Sequence, residues 1–297
     1  MHLSFHGADQ EVTGSCHQVS CAGKNVLIDC GLYQGERELD ELNAAPFGFD
    51  PASIDVVLLT HAHLDHCGRL PLLVKRGFRG EIITTAASRE LARIVMLDSA
   101  HLQEEEAQYR ARKNARRGKN VPTASLYTTL DALNTLDYFG RTATYDTPLD
   151  VAPGIRATFV DAGHILGSAS IVLDLEEGGS HRQVVFSGDL GNAGSRLLRD
   201  PVVPPHADVV VMEATYGDRL HRSSADSVKE LYDAINATFQ RGGNVIIPTF
   251  ALERTQELLF ILREGREQGL LPHSLPVFLD SPMAISATEI FERHPDC

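Results

Sequence analysis

The chain has 297 residues, 43 % hydrophobic and 23 % charged, with 27 Lys and Arg against 40 Asp and Glu for a formal net charge of −13. That balance is ordinary for a soluble globular protein, allows one large domain or two ordinary ones, and excludes a disordered or fibrous chain. It also excludes a bulk nucleic-acid coat, because any nucleic acid must meet a local basic or metal-bearing patch. No apolar run approaches the roughly 18–20 residues of a membrane span. The start, Met1-His2-Leu3-Ser4-Phe5, has none of the basic-then-apolar character of a signal peptide. Five cysteines (Cys16, Cys21, Cys30, Cys67, Cys297) without a CxxC pair read as reduced thiols of a cytoplasmic protein.

In chain order, residues 15–21 and 25–30 flank Ala22-Gly23-Lys24 as a predicted hairpin. Residues 54–60, Ile-Asp-Val-Val-Leu-Leu-Thr, read as a strand buried on both faces. A short strand is predicted at 81–85, a long helix over 88–118 free of Gly and Pro up to its end, and a second helix over 128–139. Six cations fall within residues 110–119. The Glu106–Arg110 spacing of four and the single aromatic, Tyr109, favour a solvated helix face over a nucleic-acid clamp. Strands are predicted at 156–161, 168–175 and 183–187. Beyond Pro204-Pro205, a buried strand at 208–212 leads into helix 224–240, capped by Ser223 or Ser224. Strand 244–248, helix 251–268, strand 277–280 and helix 283–294 follow, an alternation that predicts α/β with a parallel sheet.

The chemistry concentrates directly after the 54–60 strand, in His61-Ala62-His63-Leu64-Asp65-His66. A loop leaving a buried strand aims its side chains with little play. His61 and His63, two apart, can point the same way, while Asp65 and His66 open the next helix and can face a second point. Neutral imidazoles and a carboxylate are ligands for Zn²⁺, and equally for Mn²⁺ or Fe²⁺. A lone His164 would read as readily as a core histidine; its setting between Gly163 and Leu166-Gly167-Ser168 favours a ligand.

This motif resembles the metallo-β-lactamase fold superfamily. Asp161-Ala162-Gly163-His164, Phe186-Ser187-Gly188-Asp189 and Ile28-Asp29-Cys30-Gly31 match its further motifs in order, over about the first 205 residues. The resemblance implies one metal on His61, His63 and His164, a second on Asp65 and His66, and Asp189 bridging them. A water shared by two such cations loses its proton near neutral pH and becomes the nucleophile. Asp29 is expected to orient a ligand or the loop backbone rather than bind metal.

After Asp189 the chain continues through Glu213-Ala214-Thr215-Tyr216-Gly217-Asp218, Pro248-Thr249-Phe250-Ala251-Leu252-Glu253-Arg254-Thr255-Gln256-Glu257, and Asp280-Ser281-Pro282-Met283. These segments, with Gly7 to Cys16, resemble the β-CASP branch, specifically its bacterial and archaeal RNA nucleases related to the mRNA 3′-end cleavage factor. The implied architecture is an α/β metallo-β-lactamase αββα sandwich (1–207) with an inserted, incomplete β-CASP domain (208–297). The implied activity is hydrolysis of single-stranded RNA with two zinc ions, manganese fitting the same ligands, and with no membrane partner. Asp65, Asp189 and Glu213 are the expected catalytic groups, Glu213 by orienting a histidine or sharing proton transfer. Thr249 and Arg254, at a helix N-terminus, are candidates for holding a phosphate. The family's two later histidines lie beyond residue 297, so the resemblance implies a truncated member with weakened activity, and sheet edges left unpaired favour a homodimer. A thioester or lactone hydrolase, a non-catalytic RNA-binding subunit and a DNA nuclease are the rival readings.

Overall fold

A computed structural model describes residues 1–35, 37–118, 124–204, 206–220 and 222–295. Its centre is a pair of stacked sheets. The first orders β1 (His2–Phe5), β2 (His17–Cys21), β3 (Lys24–Ile28), β4 (Val56–Leu58), β5 (Glu81–Thr85) and β6 (Phe139–Ala143) side by side. Its first two pairings are antiparallel and its last three parallel. The second sheet orders β7 (Leu149–Ala152), β8 (Ile155–Asp161), β9 (Ala169–Glu177), β10 (Ser180–Phe186) and β11 (Val209–Val211), antiparallel except for the parallel β10–β11 pair. Alternate residues of both sheets, among them Val26, Ile28, Leu58, Phe159, Ile171, Leu173 and Phe186, meet in one buried layer. Their period of two puts the other set, Leu27, Val57, Leu59 and Ile82, on the opposite face of the first sheet.

That outer face carries the helices. The chain forms α1 (Arg37–Ala44), α2 (Leu64–Cys67), α3 (Leu70–Lys75), α4 (Ala86–Arg116) and α5 (Thr129–Thr135). Leu70, Leu73, Leu91 and Met96 are fully buried in the resulting core, and Tyr127 is sealed there with its hydroxyl on Ser99 Oγ at 3.0 Å. The caps follow from sequence: Thr85 accepts from Ser88 N at the start of α4, and Thr128 with Asp131 forms a reciprocal capping box on α5.

Three further helices are α6 (Ser224–Gln240), α7 (Arg254–Glu267) and α8 (Pro282–Arg293). Ser223 caps α6 through Asp226 N. Tyr232, Ile235, Ile261, Leu262 and Leu271 form a small separate core between α6 and α7. Ala287 and Ile290 of α8, with Leu252, join the main helical core instead. Glu90 of α4 ties down the end of α8 through Arg293 (2.6 Å) and His294 (2.9 Å).

Several expectations need correction. Residues 244–248 and 277–280 are not strands: they pair with no neighbour among the described residues, and Ile246 and Phe278 are 89 % and 88 % exposed. A strand needs a ladder partner as well as β-branched residues. The predicted buried strand 208–212 is β11, an exposed edge of the second sheet. The predicted helix 128–139 ends at Thr135, turns through a 3₁₀ segment, and gives Phe139 to β6. The helix expected from residue 251 begins at Arg254. Cys16, Cys21, Cys30 and Cys67 are free thiols, all buried. Lys119 of the basic run and Cys297 lie outside the described residues. No helix among the described residues is long and apolar enough to cross a membrane.

Candidate metal centre

The ends of β4, β8 and β10 open at one rim of the sandwich, and the loops leaving them bring His61, His63, His164 and Asp189 together. One donor atom from each lies within 4.8 Å of all the others. His61 Nε2 and His164 Nε2 each stand 3.1 Å from His63 Nδ1. Asp189 Oδ2 lies 3.5 Å from His164 Nε2 and 3.8 Å from His61 Nε2.

That spacing tests the fit of a metal. Two ring nitrogens bound about 2.0–2.1 Å from one tetrahedral ion sit roughly 3.3 Å apart. Burial, reinforced by the neighbouring histidines, holds His61 far below the usual imidazole range and His63 at about 3. Burial also lowers His164. The rings are therefore neutral at pH 7, and their lone pairs converge on one point, which suits a divalent cation.

A second group adjoins the first. His66 Nε2 lies 3.2 Å from Asp189 Oδ1 and 3.8 Å from Asp65 Oδ2. Burial opposes charge on His66, but Asp29 and Asp189 outweigh it and raise the imidazole well above its usual range. Burial likewise opposes the Asp189 carboxylate, yet His66 beside it holds it down at about 2. Asp65 is raised, chiefly by burial. A proton on His66 thus occupies the gap between carboxylates where a cation would be welcome.

The support beneath these ligands is dense. Asp29 takes a left-handed backbone (φ 61°) that turns its carboxylate under the motif. Its Oδ1 accepts from Thr60 N (2.8 Å), and its Oδ2 meets His66 Nδ1 (2.7 Å) and Ser15 Oγ (3.1 Å). Thr60 Oγ1 reaches His61 Nδ1 at 3.0 Å, so the far nitrogen of His61 is engaged and Nε2 is turned to the cluster. Gly31 lies so near the Asp65 carbonyl that any Cβ would collide with it. The same is true of Gly191 against the Gly163 carbonyl, so the loops bearing Asp189 and His164 press on each other. The Gly191 N to Ala162 O bond (2.9 Å) joins them.

Glu213 follows β11. Its Oε1 accepts from Leu190 N at 2.7 Å, and its own N–H donates to Ser187 Oγ at 3.0 Å. It therefore engages the Leu190 backbone on one side of Asp189 and the Ser187 hydroxyl on the other. Thr249 and Arg254 are exposed and share no hydrogen bond or ion pair with the cluster; Arg254 pairs with Glu257. Thr60 and Ser15 were not singled out by sequence reasoning. Only the position of Thr60 directly before the motif could have marked it, because the role of Ser15 depends on chain pairing.

The pattern of the Metallo-beta-lactamase superfamily matches residues 19–249, and that of the Beta-Casp domain matches residues 255–297. The chain belongs to the metallo-beta-lactamase superfamily. Among the relatives of this superfamily member is Ribonuclease TTHA0252 of Thermus thermophilus, 41 % identical over 293 residues, covering 99 % of this chain and 61 % of that protein. Transcription termination factor FttA of Methanosarcina mazei is 36 % identical over 98 % of this chain and 43 % of its own length. Cleavage and polyadenylation specificity factor 73 of Drosophila melanogaster is 30 % identical over 97 % of this chain and 39 % of its own. The chain thus spans from about two-fifths to three-fifths of these relatives. A solved protein of unknown function from Enterococcus faecalis matches the fold with a TM-score of 0.55 at 14 % identity, over 98 % of this chain and 67 % of that one.

Proposed function

We propose that the chain is a metal-dependent ribonuclease that hydrolyses phosphodiester bonds of single-stranded RNA. The observation that carries the reading is the convergence of His61, His63, His164 and Asp189 beside Asp65 and His66. The class of substrate follows the relatives, which are named as a ribonuclease and a cleavage and polyadenylation specificity factor.

His61, His63 and His164 would hold one divalent ion, Asp65 and His66 a second, and Asp189 both; zinc suits this donor set and manganese is accommodated. Bound there, such ions supply Lewis acidity, lowering the pKa of water and neutralising charge on a phosphate. The chain's own residues do the rest. Asp29 and Thr60 hold His66 and His61 in the orientation that presents their free nitrogens. Glu213 fixes the Asp189 loop through Leu190 N–H, which orients the shared carboxylate. His164 and Asp189 have side chains 24 % and 27 % exposed, so one side of the cluster stands open to an incoming strand. The RNA would lie between the unit spanning residues 1–207 and the partial unit 208–297, where its phosphates meet the cations. A cytoplasmic homodimer is the form we expect.

The test is cleavage of 5′-labelled single-stranded RNA and the matching DNA by the purified chain with added Zn²⁺ or Mn²⁺. RNA-specific cutting that His63→Ala abolishes is the expected result. Equal cutting of DNA, or cutting that survives His63→Ala, would contradict the reading.

A further inference from the structure

The basic run that reads in the sequence as one solvated helix face is divided by the structure. Arg110 pairs with Glu106. Tyr109, Arg112, Lys113, Arg116 and Arg117 fall instead at i, i+3, i+4, i+7 and i+8 of α4 and its cap, on one face of the helix. Together they line a depression of about 410 Å³. Tyr109 is 57 % exposed, and the four cations are exposed with it. Lys113 Nζ lies 5.8 Å from the centre of the Tyr109 ring.

The acidic residues just before this face are all engaged. Glu104 accepts from Thr129 Oγ1 (2.7 Å), Glu105 lies 3.5 Å from His101 Nε2, and Glu106 holds Arg110. Among the described residues, no carboxylate pairs with Arg112, Lys113, Arg116 or Arg117. Two like-charged pairs, Arg112–Arg116 and Lys113–Arg117, repel along the helix at a spacing of i, i+4. The negative end of the helix dipole offsets this for Lys113 and Arg116 in the last turn. It gives no reason for Arg112, or for an exposed tyrosine among the cations. A chain of net charge −13 thus gathers uncompensated cations around one aromatic ring. Single-stranded nucleic acid meets that combination with its phosphates and a stacked base.

The face is remote from the metal centre. α4 starts at the rim of that centre, where the Thr85 and Ser88 hydroxyls hold the Gly167 carbonyl of the His164 loop at 2.7 and 2.8 Å. Its buried positions end at Ala100, so the later turns stand clear of the core. At 1.5 Å per residue, Tyr109 to Arg117 lie about 35–45 Å along the axis from the first turn. We propose that this face is a second RNA-binding surface: it holds a flanking stretch of the strand, phosphates on the four cations and a base on Tyr109, while the scissile bond lies at the metal centre. The inference rests on the RNA reading above, and binding at this face is separable from cutting.

The test uses two single-stranded RNAs. At about 3.4 Å per stacked nucleotide, one of about 4 nucleotides cannot bridge the two places and one of about 30 can. The variants are Arg112→Gln/Lys113→Gln/Arg116→Gln/Arg117→Gln, which keeps good helix formers throughout, and Tyr109→Ala. Binding of the longer RNA is read by fluorescence anisotropy over a salt series in the metal-free chain, and cleavage of both RNAs with added Zn²⁺ or Mn²⁺. The fourfold variant should bind the longer RNA about 10-fold more weakly, with a log–log salt slope flatter by roughly 3, at about 0.7 per cation removed. Tyr109→Ala should weaken binding about 5-fold or more and leave the slope unmoved, as the loss of one stacked base requires. Cleavage of the shorter RNA should stay within about twofold of the parent for both variants, because charges this far off are screened beyond a Debye length of about 10 Å. The inference is overturned if both variants bind the longer RNA as the parent does, if the shorter RNA suffers equally, or if the parent binds no RNA. It is also overturned if duplex RNA or anionic vesicles bind as well as the single strand and Tyr109→Ala changes nothing. A chain that binds RNA through this face and cuts none would sink the proposed reaction and leave this inference standing. RNA-specific cutting indifferent to both variants would do the opposite.

Discussion

The two stacked sheets with their outer helices and the stretch after residue 212 are built differently. In the sandwich every strand has a ladder partner, and Phe159, Ile171 and Leu173 are buried to within 1 %. After residue 212 the large apolar residues Ile246, Phe250 and Phe278 are more than 80 % exposed, and the separate core between α6 and α7 has five buried members. Yet that looser stretch supplies Glu213, which holds the loop bearing Asp189 through Leu190 N–H. The side chains of the His/Asp cluster come from the sandwich and part of their support from the other stretch, so stability and site geometry are separable properties here.

The largest expected effect lies in the sandwich. Phe159→Ala should lower unfolding free energy by about 3–5 kcal/mol, because close-packed neighbours relax only partly around the lost ring. A denaturant melt measures it, and a loss below about 1 kcal/mol would mean the two sheets are not packed as described.

Next comes Asp29→Ala, which strips partners from Thr60 N–H and His66 in a buried setting. It should cost roughly 3 kcal/mol, the range for losing hydrogen bonds to a charged group. It should also weaken metal binding by about 10–100-fold, as read by chelator competition. Loss of stability with metal affinity intact would show that Asp29 supports the fold alone.

A smaller effect is pH-dependent. Glu253 has an ordinary carboxyl value of 4.5 when unfolded and about 8 when folded. The folded state therefore holds a proton that the unfolded state has lost, and stability must fall as pH rises from about 4.5 to about 8, levelling above. Arg254 and Glu257 are the charged groups that act on it, in opposite senses. Melting curves of the metal-free parent and Glu253→Gln should diverge over that window, the parent losing stability relative to the variant. Parallel curves would place the carboxyl in solvent.

The smallest effect separates the two regions most cleanly. Phe278→Ser should change stability by less than about 0.5 kcal/mol, since an exposed side chain has little burial to lose. A loss like that of Phe159→Ala would show residue 278 to be packed.

Much of the His/Asp cluster was legible because most of its members sit in a compact local pattern. His61 to His66 follow a buried strand, and His164 and Asp189 end two more. What was not legible depends on pairing across the chain. Residues 244–248 carry the same β-branched signal as the 54–60 strand, but only the latter has neighbours at 24–28 and 81–85. β1, β6 and β7 were not singled out because edge strands, with one neighbour each, need little apolar character. Glu253 reads in the sequence as one more helix residue, since nothing local announces a turn at φ 62°.

The most direct test of the central claim is zinc stoichiometry by native mass spectrometry. The account predicts two zinc ions on the parent chain, one on His164→Ala and none retained at the His61–His63 position in a His61→Ala/His63→Ala double variant. A parent that binds no zinc, or a count unchanged by those substitutions, would contradict it.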